Sequence, residues 1–450
     1  MDTSKIAACL LAAAFLVTAA VRSHAQESPP TIRHHRVAEP AEPSEPPELE
    51  QAETAMQRSD FATAEPLLQQ VVAARPDDYR AWFDLGYVYN ALQRSADAIG
   101  AYRKAVAAKP DVFESNLNLG LLLAKQGQSA EAAKYLKAAT QLKPTAHPEE
   151  SLARAWQALG RVEEPADPQQ ALVAYAQAAK ANPNNPEPHL ASAELLEKQG
   201  NPGGAANEYQ AAVELDPKSD EALAGLANTY IAQRKFADAE GALRKTLALD
   251  PQNGAARVQL ARVLSAENKN DEAMSQLQTA LQQNPGDPRA ALELGTLYAK
   301  AGKDAEAEQQ LRIAVQKMPQ GAEAHYALGS LLLYEKKFAE AQQELLAAIR
   351  FKPDLPDAYS NLAIAAASNK QYVLSLRALD ARAKYLPEIP ATVFLRATNY
   401  DHLQDIPLAV EYYQKFLAVD GGKFPDQEWQ ARHRLIALDP KHADKYQVKK

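Results

Sequence analysis

The chain has 450 residues, of which 46% are hydrophobic and 24% charged, with a formal net charge of -8 and a single cysteine. A mildly acidic chain without a basic stripe is a poor candidate for binding nucleic acid or anionic lipid, and one thiol cannot build a disulfide framework. The length alone would suggest about two or three globular domains, a prior that the internal repeats override.

At the N-terminus, Lys5 precedes a continuous apolar run from Ile6 to Val21, and Ser23-His24-Ala25 places small residues at the two positions that a signal peptidase reads. Residues 1–25 therefore read as a signal peptide, cleaved after Ala25, that sends the mature chain out of the cytoplasm. The run of 16 residues is shorter than the roughly 20 needed to span a bilayer. An uncleaved anchor is the alternative, and the only route by which a membrane enters this reading. Cleavage would remove Cys9 and leave a thiol-free chain suited to an oxidising compartment. The absence of any Asn-x-Ser/Thr sequon fits a periplasmic or secreted protein of a bacterial envelope. From Gln26 to Pro47 the sequence is rich in Pro and Glu and lacks apolar periodicity, so it reads as a disordered tether. His34 and His35 adjoin each other there, but two neighbouring imidazoles without further ligands hold a metal weakly.

A fixed period of 34 residues then takes over. Pro76, Pro110 and Pro144, followed by Pro183, Pro217, Pro251, Pro285, Pro319, Pro353 and Pro387, share one grid, and self-similarity at that period signals a stack of helix pairs. The single longer step, from Pro144 to Pro183, carries five extra residues. With each proline at position 32, position 20 reads Ala64, Ala98, Ala132, Ala171, Ala205, Ala239, Ala273, Ala307, Ala341, Ser375 and Ala409. Position 8 is Gly or Ala. Small residues at 8 and 20 let two antiparallel helices approach closely, while larger side chains at 7, 11 and 24 fill the space beside the crossing. Each proline ends the second helix, because its ring removes a donor and disfavours helix in the residue before it. In the second unit Trp82, Leu85, Gly86, Tyr89, Ala98, Tyr102, Ala105 and Pro110 fall at positions 4, 7, 8, 11, 20, 24, 27 and 32. This pattern resembles the tetratricopeptide repeat family. The resemblance implies an all-α fold, an α-solenoid superhelix of about eleven helix-turn-helix repeats over residues 48–423.

The departures from the pattern cluster. Glu163, Glu164, Pro165 and Pro168 predict a lengthened turn between the helices of the fourth unit, and Ser375, Arg382, Phe416 and Gly421 make the last two units atypical. Beyond them, residues 424–450 read as a capping helix and tail, with Trp429, His433 and Ile436 on the packing face and Arg432 and Arg434 turned away. No phosphate-binding loop, His-Glu-x-x-His, Gly-x-Ser-x-Gly or Cys-x-x-Cys occurs. The chain therefore reads as a non-enzyme without cofactor or metal. His189 and His325 stand at position 4, where the second unit has Trp82, and so read as packing residues, while His402 at position 13 is expected on the inner surface.

In the family that the pattern resembles, positions 2, 5, 9, 12 and 13 of each first helix line the concave groove. Position 5 is never basic here, which argues against a clamp for a partner's C-terminal carboxylate. Two clusters stand out instead: Phe83, Tyr87 and Asn90 with Leu117 and Leu121, and Tyr326, Leu333 and Tyr334 with Ile364 and Phe394. Between them the face is more polar, with Glu194, Glu197, Asn228 and Arg262. Aromatic anchors beside an amide suit a peptide partner; the alternative is that position 5 is covered by the adjacent unit and merely packs. The sequence thus points to an exported scaffold or adaptor that binds a protein or peptide. A membrane-tethered assembly factor for a secretion or polysaccharide-export system is one alternative. A glycan- or small-molecule-binding subunit is another, opposed by Trp82, Trp156 and Trp429 all falling where packing would account for them.

Overall fold

A computed structural model describes residues 46–446; the expected signal segment, the stretch from Gln26 to Glu45 and the last four residues lie outside the described part. All described secondary structure is helical, beginning with Pro47–Gln57 paired with Phe61–Ala74 and ending with Pro390–His402 paired with Ile406–Val419, eleven pairs in all. A further helix, Pro425–Leu438, and a 3-10 turn, Pro440–Lys445, close the chain. Pro46 is the cap and Pro47 the first residue of the first helix, a place where the missing N–H of proline costs nothing. The first helix therefore begins at Pro47, the residue at which the tether was expected to end.

The described residues fall into two compact units that divide at the boundary between the sixth and seventh repeats, Leu249 and Asp250. Within each, the pairing follows the residue pattern. All eleven position-20 residues have 0% exposure, as a close helix crossing requires. At position 8 a β-carbon added to Gly120 would come within 2.6 Å of Leu136, and one added to Gly295 within 2.7 Å of Leu311. Residues ahead of the prolines, such as Arg75, Lys109 and Lys352, leave the helical region (φ -131°, -143° and -138°). The proline carbonyls then find a partner six residues on. Trp82 Nε1 donates to Pro76 (2.8 Å), Asn116 Nδ2 to Pro110 (2.8 Å), Arg257 to Pro251 (2.8 Å), and His325 Nε2 lies 3.1 Å from Pro319 O. Four different side chains at position 4 thus serve one task, satisfying an acceptor that the helix cannot.

The five extra residues change three places. The connection before the fourth repeat lengthens to residues 140–147, its first helix grows to Pro148–Glu163, and the turn inside the repeat spans 164–167. The turn is lengthened, as expected, but by one residue only; most of the insertion lies ahead of it. Thr145 folds back so that its N–H and hydroxyl both reach Glu114 Oε1 (2.9 and 2.6 Å).

The closing helix buries Ala431 and Leu435; of the face predicted for it, Ile436 packs against the same core, whereas Trp429 and His433 do not. Trp429 is 60% exposed and stacks on His433 at 3.9 Å. Arg434 stays exposed, yet its Nε and Nη2 both donate to the buried Asp401 at 2.6 Å. The helix thus docks on the core of the eleventh repeat through Ala431, Leu435 and Ile436 and is tied to it by the ion pair.

Candidate functional site

Consecutive first helices approach one another within each unit, for example 254–266 with 288–300 and 322–334 with 356–368, whereas consecutive second helices make no comparable contact. The first-helix side is therefore the inner side of each stack, and the residues expected there can be examined in place.

In the first unit, Phe83 and Leu117 are 7% and 6% exposed and belong to one core cluster with Tyr102 and Leu136. The Phe83 ring lies 5.6 Å from that of Tyr102. These two residues do not offer themselves to a partner. Position 5 points under the next repeat, so its apolar character is spent on stacking. Tyr87, Asn90 and Leu121 are half-buried, and Tyr87 meets the edge of Phe61 at 5.9 Å.

The fourth to sixth repeats carry an arrangement that the apolar row does not reveal. Tyr175, at position 24, runs its buried ring past Gly160 within the fourth repeat, and Tyr209, at the same position of the fifth, runs past Gly225 on the first helix of the sixth. Their hydroxyls emerge on the inner side and donate to carboxylates. Tyr175 bonds Glu164, and Tyr209 bonds Glu197 Oε2 at 3.0 Å. Thr229 Oγ1 lies 3.0 Å from the other oxygen of Glu197, so that carboxylate is fixed at both ends. Burial, followed by the charges of Glu197, Glu194 and Glu221, pushes the Tyr209 hydroxyl far above its ordinary pKa. Of these carboxylates Glu197 bonds the hydroxyl directly. Glu164 also lies 3.6 Å from Lys198 Nζ.

In the second unit, Tyr326, Leu333 and Ile364 are half-buried and Tyr334 is 62% exposed. Asn361 donates to Ser330 Oγ at 2.9 Å beside them. Phe394 does not join this group. It packs in the core of the last repeat, 5.1 Å from the ring of Phe416 and 6.0 Å from Tyr413. Arg262 reaches Glu293 at 3.2 Å. Burial raises the Glu293 pKa against the pull of Arg262 and Lys300, and burial likewise lowers that of Lys300 against the pull of Glu293.

The position-4 histidines pack. His325 is buried, with Nδ1 2.6 Å from Glu344 Oε2, and His189 Nδ1 sits 2.7 Å from Glu208 Oε2. His402 stacks on Tyr372 at 4.5 Å. Among the described residues no three potential ligand side chains converge in a way that could hold a metal ion, and no helix is long and apolar enough to cross a membrane.

Three family models, each described as a tetratricopeptide repeat, match the chain: one at residues 49–113, 91–147 and 166–220, a second at 196–247, 230–280 and 264–331, and a third at 322–355. No curated protein matches. Among solved structures, YrrB, a tetratricopeptide protein described as having an unusual peptide-binding site, is 26% identical and covers 44% of this chain and 97% of its own, with a TM-score of 0.35. PilF of Pseudomonas aeruginosa is 23% identical over 47% of this chain and 96% of its own, at a TM-score of 0.42. Yeast Tom70 is 15% identical over 89% and 98%, at 0.36. Taken with the helix pairs, the buried position-20 residues and the capped prolines, the repeat matches establish that the chain belongs to the tetratricopeptide repeat family.

Proposed function

We propose that the chain is a non-catalytic scaffold or adaptor that holds a protein or peptide partner on its inner surface. One observation carries this reading. Tyr334, a large aromatic on a first helix, remains 62% exposed while Tyr326, Leu333 and Ile364 around it are half-buried. An accessible aromatic on a partly apolar inner side is what an anchor residue of a peptide needs. Action outside the cytoplasm, in a bacterial envelope, rests on the run from Ile6 to Val21 and on Ser23-His24-Ala25. Intact-mass analysis of the native protein decides this point. A chain beginning at Gln26 supports export, and one retaining residues 1–25 supports the tethered assembly factor.

A photo-crosslinking amino acid at position 334, introduced in the native cell, should give one discrete protein adduct. The same group at position 173, an exposed site on the second helix Pro168–Ala181, should give none. Identical adducts from both positions, or none from 334, would overturn the reading. The glycan- or small-molecule-binding alternative gains one specific observation. Trp429 does not pack as expected but lies exposed beside His433, and an open indole is a common platform for a sugar ring.

A further inference from the structure

We propose that the last repeat and the closing helix, residues 390–446, form a terminal module that releases from the tenth repeat as one unit, at a joint held by buried ion pairs where the preceding repeats use leucine. This goes beyond the scaffold reading and does not depend on it. In the sixth to tenth repeats position 7 of the first helix is Leu226, Leu260, Leu294, Leu328 and Leu362, each no more than 3% exposed. The eleventh repeat has Arg396 there, 4% exposed. Its Nη1 donates to Asp380 Oδ1 and its Nε to Glu388 Oε1, both at 2.6 Å, and Lys415 Nζ reaches the other oxygen of Glu388 at 2.6 Å. Arg396 and Lys415 also lie 5.8 and 5.3 Å from the centre of the Tyr412 ring, on which Tyr400 stacks. On the other side of the joint Arg382 is buried at position 27, where the eighth and ninth repeats have Ala314 and Ala348. It donates to Ser360 Oγ at 2.9 Å and to the Pro387 carbonyl at 2.8 Å. The buried Asn399 crosses from the eleventh repeat to Ser375 Oγ at 2.7 Å.

Charges that leave water for an interface must recover their lost hydration from one another, so a buried ion network holds two surfaces less firmly than apolar side chains of similar volume, and replacing it by them often stabilises. In a repeat array each unit is held only by its neighbours, and the weakest interface decides where the stack parts. The apolar clusters divide at the same place. One runs from Ala307 to Leu379 through the eighth to tenth repeats, and the next, from Val393 to Tyr446, joins the eleventh repeat to the closing helix, with Leu395 reaching back to the first. Arg434 on Asp401 adds to the hold of the closing helix on the module. Six residues, 384–389, connect the helices across the joint, where four, 352–355, join the ninth repeat to the tenth, which leaves the chain slack for a hinge.

The test is amide hydrogen exchange of the full chain at neutral pH, read by mass spectrometry. Helices Pro390–His402, Ile406–Val419 and Pro425–Leu438 should exchange through one common opening, with one dependence on denaturant, and with protection about tenfold or more below that of Ala322–Tyr334 and Phe338–Phe351. Fraying from the end would instead grade the protection, lowest in Pro425–Leu438 and rising toward Pro390–His402, and such a gradient overturns the proposal. Arg396→Leu, which restores the side chain of the preceding repeats, should raise the protection of all three helices about fivefold or more and leave the ninth repeat unchanged. Glu388→Gln, which takes a charged partner from Arg396, should lower it about fivefold or more. Protection that falls in Arg396→Leu while the ninth repeat is unchanged, or that stays the same in either variant, overturns the joint. Should Arg396→Leu disturb the ninth repeat as well, Arg396→Met, whose unbranched side chain is closer to arginine in shape, carries the same expectation and the same refutation.

Discussion

Replacing Gly225 by Ala tests whether the tyrosine threading through the crossing is what fixes the inner-side carboxylates. A β-carbon built at Gly225 would lie 2.3 Å from Tyr209 Cζ and 2.4 Å from Cε1, both in a ring that is 3% exposed and tied to Glu197. The ring cannot yield without breaking that bond or moving the helix, which places the overpacking cost at about 1–3 kcal/mol. Alanine gains about 0.5–1 kcal/mol over glycine inside a helix, so the net loss should be about 1–2 kcal/mol. Gly241 supplies the control. It lies within helix Phe236–Leu249 with nothing within 4 Å of an added β-carbon, and Gly241→Ala should stabilise by about 0.5–1 kcal/mol. Because repeats open locally, the assay is amide hydrogen exchange in helices Pro202–Leu215 and Asp220–Ala232 rather than a single global midpoint. Protection there should fall roughly five- to thirtyfold in Gly225→Ala and recover when Tyr209→Leu is added. A Gly225→Ala chain as well protected as Gly241→Ala would refute the tight crossing and, with it, the pre-set carboxylates.

Phe83→Ser with Leu117→Ser should cost on the order of 5 kcal/mol or more, since both side chains are buried; a stable double variant seen by thermal melting would return these residues to the surface. Glu388 is pulled up by burial, but the bonds from Lys415 and Arg396 outweigh this and hold its carboxyl below the usual range. Its contribution is then complete above the unfolded value of about 4.3 and lost as pH falls through the lower folded value. Glu388→Gln should flatten the acid limb of the melting-temperature curve, and an unchanged limb would count against the pairing. Lys370 holds φ at 59°, where an L side chain is strained by roughly 1–2 kcal/mol. Lys370→Gly should therefore raise the denaturation midpoint, and a lower midpoint would show that the turn tolerates the side chain without strain.

That last turn illustrates where residue identity stops short of conformation. Position 15 takes positive φ in ten repeats: Ser59, Gln93, Arg234, Asn268, Lys336, Lys370 and Gln404, with Gly127, Gly200 and Gly302. Only three are the glycine that announces such a turn. The periodic prolines and alanines made the fold legible, because close packing admits only Ala or Ser at position 20. The strained position was not legible, since the packing of two helices compels it even where glycine is absent. The inner side was read less well for a related reason. Position 5 is apolar both when it stacks and when it binds, so the row containing Phe83 and Leu117 carried no information on which of the two it does.

The feature that does distinguish the inner side is a correlation between two positions that lie eleven or twelve residues apart. Where position 24 is tyrosine, in Tyr102, Tyr175, Tyr209 and Tyr413, the residue at or beside position 12 is Asn90, Glu164, Glu197 and Asp401. Where position 24 is Leu68, Leu136, Leu243, Leu277, Leu311, Leu345 or Leu379, it is Met56, Ala124, Ile231, Ser265, Ala299, Leu333 or Ala367. The physical cause is the hydroxyl. A leucine ends inside the crossing, but a tyrosine carries a donor through to the other side, where an unpaired polar atom is costly and an acceptor removes the cost. Three of the four pairs are bonded as this requires, Tyr175 with Glu164, Tyr209 with Glu197 and Tyr413 with Asp401 at 3.1 Å. The third also receives Arg434 from the closing helix, so in the last repeat the same device anchors the cap. In the fourth repeat the carboxylate meets Lys198 instead, at 3.6 Å, and in the fifth it meets Thr229 Oγ1 at 3.0 Å, so the same device is completed by a different neighbour in each repeat.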